Sequence, residues 1–121
     1  MKSKPHRQAA KLFHILSHQD RLHILDELRR DEACVCHLQT VLGRPQAYVS
    51  QQLRVLRDVG VVADRREGTF VYYRLADSRV ERLLDDILGS PGERVCVAGC
   101  PCPRCQAQAS VTVVQPEAKP F

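Results

Sequence analysis

The chain has 121 residues, 44% of them hydrophobic, which is enough for one modest core and too little for two domains. It holds no apolar run near the roughly 20 residues of a membrane helix, and its N-terminal segment leads into no apolar signal core, so we expect a cytoplasmic protein. The net charge of +4 is compatible with a nucleic-acid partner. The sequence contains no phosphate loop, nucleophile elbow or zinc-protease helix, and we expect no enzyme.

The N-terminal part of the chain predicts two helices. Apolar residues recur at helical spacing from about His6 to Leu16, which indicates the first helix. Ser17 is predicted to cap the second helix, which carries Asp20 in its first turn and ends near Arg30.

Two further helices are predicted on either side of a tight turn. Asp31 is expected to cap a short third helix, and Gly43 suits the left-handed position just past its end. The fourth helix is predicted from Pro45 to Val59 and is closed by Gly60. One side of this helix is apolar and the opposite side polar, so we expect the apolar side to face the core.

The apolar period changes to two between Val61 and Leu75. The dipeptide Glu67-Gly68 interrupts this stretch between two runs rich in β-forming residues, which indicates a hairpin. Helices followed by a hairpin predict a mainly α fold with a small β-hairpin, a winged helix-turn-helix.

The last predicted helix, about residues 78 to 88, has a larger apolar face than so small a domain needs internally. That face comprises Leu83, Leu84, Ile87 and Leu88. We interpret it as a dimerisation surface, and expect residues 1–92 to form a DNA-binding and dimerisation domain. Residues 93–121 are a Cys-rich C-terminal tail, for which we expect no packed structure unless its cysteines are ligated.

The six cysteines fall into two clusters. Cys34 and Cys36 form a C-x-C pair. The tail carries a C-x3-C-x-C-x2-C pattern made by Cys96, Cys100, Cys102 and Cys105. In a protein that is not exported, clustered cysteines more often bind metal or sense redox state than form structural disulfides.

Several segments, in this order and with this spacing, resemble the ArsR/SmtB family of bacterial metal-responsive repressors. They are LHILDEL from Leu22, CVCHL from Cys34, VSQQLRVLR from Val49, GVV from Gly60, REG from Arg66 and VYYRL from Val71. The match covers roughly residues 8 to 88. The resemblance implies a homodimer built on the first and last helices, operator binding without metal, and release when metal binds. Two residues depart from the family pattern: Gln52 replaces a usual histidine, and Gln39 replaces the third helix cysteine of some arsenic sensors.

The fourth helix is the predicted recognition helix. From Arg44 to Arg74 there are six arginines and three acidic residues, which marks a candidate phosphate-facing surface. Glutamine and arginine can make bidentate contacts to base edges, whereas wing arginines more often meet phosphate or the minor groove. The predicted DNA-binding residues are Gln46, Ser50, Gln51, Arg54, Arg65 and Arg66.

The predicted metal ligands are the six cysteines, Cys34, Cys36, Cys96, Cys100, Cys102 and Cys105. The geometry of the C-x-C pair suggests a mechanism. On a regular helix Cys34 and Cys36 would lie about 200° apart, so both can hold one ion only if the first turn of the third helix opens. Ligation would then deform the DNA-reading unit. This is the route from metal to operator release that we expect.

The tail cysteines admit four interpretations. Neighbouring Gly and Pro residues let the sulfurs converge, and the tail is long enough to approach Cys34 and Cys36 of either protomer. They could share that metal site, or form a separate structural zinc knot, an iron-sulfur site or a redox switch.

The effector predicted from thiolate-rich ligation is a thiophilic ion, Cd(II), Pb(II), As(III) or Zn(II), and no organic cofactor is expected. Two other functions stay open. One is a thiol-redox-responsive transcriptional regulator with a structural zinc or iron-sulfur site in the tail, and the other is a metal-buffering protein. The histidines are expected to be surface residues instead of ligands: His6, His14, His18, His23 and His37.

Overall fold

A computed structural model of the protein describes residues 4–92. In chain order its elements are α1 (Lys4–Leu16), α2 (Gln19–Leu28), β1 (Ala33–Cys34), α3 (Val35–Leu42), α4 (Gln46–Asp58), β2 (Val62–Glu67), β3 (Phe70–Leu75) and α5 (Ser78–Leu88). The strands form one antiparallel sheet in the order β1-β3-β2. The α3-turn-α4 unit followed by a hairpin confirms the predicted winged helix-turn-helix.

The core forms where the apolar faces of the helices meet the base of the hairpin. On α4 the predicted apolar face is completely buried, with Val49, Leu53 and Leu56 at 0% exposure. The same core takes in residues of every other helix and of the sheet, among them Ile15, Ile24, Leu25, Leu38, Val62, Val80 and Leu84. Burial on one side leaves the polar side of α4 in solvent.

The predicted wing is the hairpin of β2 and β3. Its register pairs Glu67 with Phe70, so the turn has two residues. Gly68 is the first of them and has φ +61°, a conformation that glycine adopts without steric cost. Gly43, with φ +65° at the end of α3, likewise occupies the predicted left-handed position.

The predicted start of the second helix is wrong. The hydroxyl of Ser17 donates to the carbonyl of His14, 2.8 Å away, and so extends the hydrogen bonding of α1. His18 is the residue that precedes α2, and it makes no side-chain capping bond. The helix ends at Leu28, two residues before the predicted end.

The predicted start of the third helix is also wrong. The carboxylate of Asp31 accepts a hydrogen bond from the next backbone N–H, that of Glu32, at 2.8 Å, and caps no helix. Ala33 and Cys34 form β1, which pairs with β3, so α3 begins only at Val35. Pairing with a strand almost forty residues away decides the local conformation here.

The ends of α2 and α5 are fastened together by one buried side chain. Arg29, whose side chain is 2% exposed, donates to Asp26 at 2.8 Å and to Asp85 on α5 at 2.6 Å. It also donates to the carbonyl of Gly89 at 2.7 Å. The point where the chain leaves α5 is therefore fixed beside the end of α2.

Helix α5 occupies the range predicted for it and keeps part of its apolar face in solvent. Asp77 caps it by accepting from the backbone N–H of Arg79 at 2.9 Å, and hydrogen bonding by Arg79 lowers the pKa of Asp77. Exposure is 68% at Ile87, 51% at Leu88 and 58% at Phe13 on α1. Within residues 4–92, none of the helices is long and apolar enough to span a membrane.

Candidate nucleic-acid interface and thiolate pair

The polar side of α4 presents the predicted base-reading residues to solvent. Gln46, Gln51 and Arg54 are exposed, and Ser50 is half-buried. An open cavity with a volume of about 540 Å³ lies between this helix and the wing. Its lining is Ala47, Ser50, Gln51, Arg54, Arg57 and Tyr73. The structure thus gathers most of the predicted base-contacting side chains on one open, polar surface.

Two contacts from α2 hold α4 in place. The Nε of Arg21 donates to Oε1 of Gln52 at 2.7 Å, and Gln52 is 8% exposed. The hydroxyl of Tyr48 donates to Asp20 at 2.6 Å, which raises the pKa of Tyr48. Gln52 therefore faces inward as an anchor of the helix. Sequence reasoning did not find these anchors, because their partners lie about thirty residues earlier in the chain.

The arginines between residues 44 and 74 fall into two groups. Three form ion pairs: Arg44 with Asp20 at 3.5 Å, Arg57 with Asp64 at 3.3 Å and Arg65 with Glu32 at 2.5 Å. Within residues 4–92 no carboxylate pairs with the other three, which are all exposed: Arg54, Arg66 and Arg74. The positive charge that is open to a phosphate backbone is concentrated on this second group.

The two predicted wing arginines have different surroundings. Arg65 donates from Nε and Nη2 to the two carboxylate oxygens of Glu32, and this hydrogen bonding raises the pKa of Arg65 above its ordinary value. Its guanidinium carbon also lies 4.7 Å from the centroid of the Tyr72 ring. Arg66 is exposed and lacks such partners among the described residues.

The C-x-C pair lies at the junction between the wing sheet and the helix-turn-helix. Cys34 ends β1, has extended backbone angles (φ −84°, ψ 165°) and is 2% exposed. Cys36 is half-buried in the first turn of α3. The expectation that both cysteines share a helix is therefore wrong. Cys34 precedes the helix, so the angular separation of two residues on one helix does not apply to this pair.

The prediction of surface histidines fails at His37. This side chain is 0% exposed, and its Nε2 lies 2.9 Å from Oε1 of Glu27 on α2. Burial alone would raise the pKa of Glu27, but the hydrogen bond from His37 and the charges of His37 and Arg30 bring it below the ordinary value. His37 therefore joins α3 to α2 in the residue that follows the C-x-C pair.

The donor set of the candidate metal site is only partly within the described residues. Two thiols suit a soft ion, but no group of three or more His, Cys, Asp or Glu side chains within residues 4–92 is arranged to hold a metal. The four tail cysteines lie outside the described residues: Cys96, Cys100, Cys102 and Cys105.

Comparison with known proteins agrees with this geometry. The profile of the arsR family of bacterial regulatory proteins matches residues 18–64, which include the C-x-C pair and α4. The transcriptional regulator NmtR of Mycobacterium tuberculosis is 40% identical over 81 residues, 67% of this chain and 68% of that protein. The arsenical resistance operon repressor of Escherichia coli is 44% identical over 68 residues, 54% of this chain and 56% of that protein.

A solved structure shows the same fold. A winged helix-turn-helix DNA-binding domain from Mycobacterium bovis, described as homodimeric, is 36% identical with a TM-score of 0.66. The similarity covers 72% of this chain and 81% of that one. The chain spans only 61 to 63% of the length of the SmtB repressors that it also matches. Together, these sequence and structural similarities place the chain in the ArsR/SmtB family of winged helix-turn-helix transcriptional regulators.

Proposed function

We propose that the protein is a metal(loid)-responsive transcriptional repressor that acts in the cytoplasm, binds operator DNA without metal and releases it when a thiophilic ion binds. The observation that carries this proposal is the position of the C-x-C pair. Cys34 ends a strand of the wing sheet, and Cys36 lies in the first turn of the helix that precedes the recognition helix. A ligand held by both thiols would be attached to the wing sheet and to the helix-turn-helix at once.

The DNA contacts follow from exposure and charge. Gln46, Ser50, Gln51 and Arg54 lie along the side of α4 that is turned away from the core, and Gln and Arg match the donor and acceptor patterns of base edges. Of the two predicted wing arginines, Arg66 is the better placed to meet a phosphate, since no carboxylate within residues 4–92 pairs with it.

The ion would be held by Cys34 and Cys36 together with thiolates of the tail. A three-coordinate As(III) or a four-coordinate Cd(II) or Zn(II) needs more than two donors, and all remaining cysteines lie between Cys96 and Cys105. The arsenic specificity in the name of the Escherichia coli relative agrees with a thiolate site.

The structure supports a route by which the tail reaches the pair. Arg29 fixes Gly89 beside the end of α2, and Cys34 follows five residues after Arg29 along the chain, about 18 Å at most. The seven residues from Gly89 to Cys96 extend to about 25 Å. The segment after Gly89 therefore offers enough chain for the tail cysteines to approach the pair of the same protomer.

The recognition-helix assignment predicts that Gln51→Ala and Arg54→Ala each weaken binding to a cognate duplex by roughly 1 to 3 kcal/mol, the usual cost of a lost base contact. A suitable duplex can be selected from a random pool with the reduced, metal-free protein. Fluorescence anisotropy in one fixed buffer measures the affinity, and circular dichroism checks the fold. If both variants bind this duplex as tightly as the parent, α4 does not read the bases through this side.

We also propose a homodimer formed through α1 and α5. Three large apolar side chains of these helices are exposed to solvent: Phe13, Ile87 and Leu88. An open cavity with a volume of about 650 Å³ lies between the two helices, and its lining includes Leu12 and Leu83. Covering such a surface removes the cost of exposing it to water.

The dimer proposal predicts that Ile87→Glu shifts the protein toward monomer by more than tenfold in dissociation constant, because a carboxylate would be buried without a partner. Sedimentation velocity over a concentration series measures this shift. Gln51→Glu adds the same charge on the exposed side of α4 and should stay dimeric. Equal dissociation constants for the parent and Ile87→Glu would place the interface elsewhere.

A further inference from the structure

A row of three residues crosses the wing sheet. Tyr72 on the central strand β3 is the register partner of Cys34 on β1 and also of Arg65 on β2. Residues that lie directly opposite each other on antiparallel strands carry their side chains on the same face of the sheet. The thiol of Cys34, the ring of Tyr72 and the side chain of Arg65 therefore share one face.

Glu32 bridges the two ends of this row. It lies two residues before Cys34, and its carboxylate accepts hydrogen bonds from Nε of Arg65 at 2.9 Å and from Nη2 at 2.5 Å. The side chain of Glu32 is 14% exposed, and the Arg65 guanidinium stacks on the Tyr72 ring. The pair thus spans the sheet from the segment that bears Cys34 to the outer strand of the wing.

These surroundings make Arg65 a poor partner for a phosphate. Besides Glu32, the carboxylate of Glu67 lies 3.7 Å from its guanidinium, so Arg65 contacts two carboxylates. A DNA phosphate at this point would be repelled by both carboxylates. Arg66 is the next residue along the strand, so its side chain points to the opposite face, and it has no such neighbours among residues 4–92.

We propose that the Glu32–Arg65 ion pair is a positioning device, which holds the wing in its DNA-binding position and couples it to the strand that bears Cys34, while Arg66 makes the phosphate contact. Glu32 and Cys34 belong to one short segment, so a displacement of Cys34 moves Glu32, and the ion pair transmits this movement to β2. This proposal deepens the repressor function proposed above and rests on it.

Removing the acid distinguishes a positioning role from a phosphate contact, because the two roles predict opposite signs. If Arg65 positions the wing, Glu32→Gln lowers the affinity of the metal-free protein for the selected duplex by roughly two- to fivefold, the range expected for a partly exposed ion pair. The slope of log affinity against log salt should stay unchanged. If Arg65 binds phosphate, the same variant frees its charge, so the affinity rises and the salt dependence becomes steeper.

Two further variants complete this test. Arg66→Gln is the matched control, and its salt slope should fall by about one phosphate contact. The reversed pair, Glu32→Arg with Arg65→Glu, is made together with Glu67→Gln, because the carboxylate of Glu67 lies 3.7 Å from the group at position 65 and would repel a glutamate there. Relative to Glu32→Gln with Glu67→Gln, this variant should recover most of the lost affinity. That result would be unexpected for a phosphate contact, since it places a carboxylate at position 65. Urea unfolding of each variant shows whether a loss of affinity reflects a loss of fold.

The coupling is measured with Cd(II) as the probe. For each protein we take the ratio of its DNA affinity without metal to its DNA affinity with Cd(II) bound. This ratio should be smaller for Glu32→Gln than for the parent, by about the two- to fivefold factor that the variant loses in metal-free affinity. The thiolate-to-Cd(II) absorbance should be the same for both proteins. An unchanged ratio, a tighter metal-free complex or no recovery in the reversed pair would overturn the proposal and leave the repressor function standing. A parent that binds the duplex but releases it with none of the four thiophilic ions would overturn the proposed function, and the coupling with it.

Discussion

Replacing both cysteines of the C-x-C pair, Cys34→Ser with Cys36→Ser, should separate repression from sensing. Metal-free affinity for the selected duplex should stay within about twofold of the parent, because neither thiol belongs to the DNA-facing surface. The Cd(II) concentration needed for half-release should rise by roughly 100-fold or more, because half of a four-thiolate shell is lost. Titration of the reduced protein on labelled duplex, under anaerobic conditions, measures both quantities.

The single variants identify the source of any loss of fold in this experiment. Cys34 is 2% exposed, so a serine hydroxyl there is buried and costs stability unless it finds an acceptor. Cys34→Ala avoids that cost and should show the same loss of sensing. If Cys34→Ala and Cys36→Ser both lose DNA binding before metal is added, the cysteines are structural and the sensing role is wrong. Release by a mild oxidant instead of Cd(II) would indicate a thiol-redox regulator.

The sequence predicts the fold well where local chemistry decides the conformation. The apolar period of α4 places Val49, Leu53 and Leu56 in the core, and the need for a positive φ accounts for Gly43. It fails at Asp31, because the conformation of the next residues depends on pairing between β1 and β3. A strand of two residues has no period of its own to detect.

The candidate DNA interface is likewise predictable from the sequence only where local geometry decides it. The exposed side of α4 follows from helical geometry, and its polar residues appear there as expected. Which arginines remain available to DNA does not follow from a charge count, because Asp20 and Glu32 neutralise Arg44 and Arg65 from other parts of the chain. The burial of His37 has the same cause, since its partner Glu27 lies on α2.

Truncation after Gly92 should impair sensing almost as severely as loss of the C-x-C pair. We expect the metal-free affinity to stay within about twofold, the half-release concentration of Cd(II) to rise by roughly 100-fold, and the thiolate-to-Cd(II) absorbance to fall by about half. A matched control keeps the tail at full length and replaces its four cysteines by serine: Cys96, Cys100, Cys102 and Cys105. Two sites that each survive removal of the other would contradict a shared site and leave the tail as a separate zinc knot or second sensor.

Mixed dimers decide whether the tail serves its own protomer or its partner. One protomer carries the C-x-C double serine change, and the other carries the four tail serine changes. If the tail of one protomer completes the pair of the other, this mixed dimer retains one intact site. If each tail serves its own protomer, the mixed dimer has none. Arg29 lies at the end of α2, five residues before Cys34, and holds Gly89 there. We therefore expect each tail to serve its own protomer, and the mixed dimer to have no tight Cd(II) site. Recovery of half the parent's tight sites would show that the tail crosses to the partner.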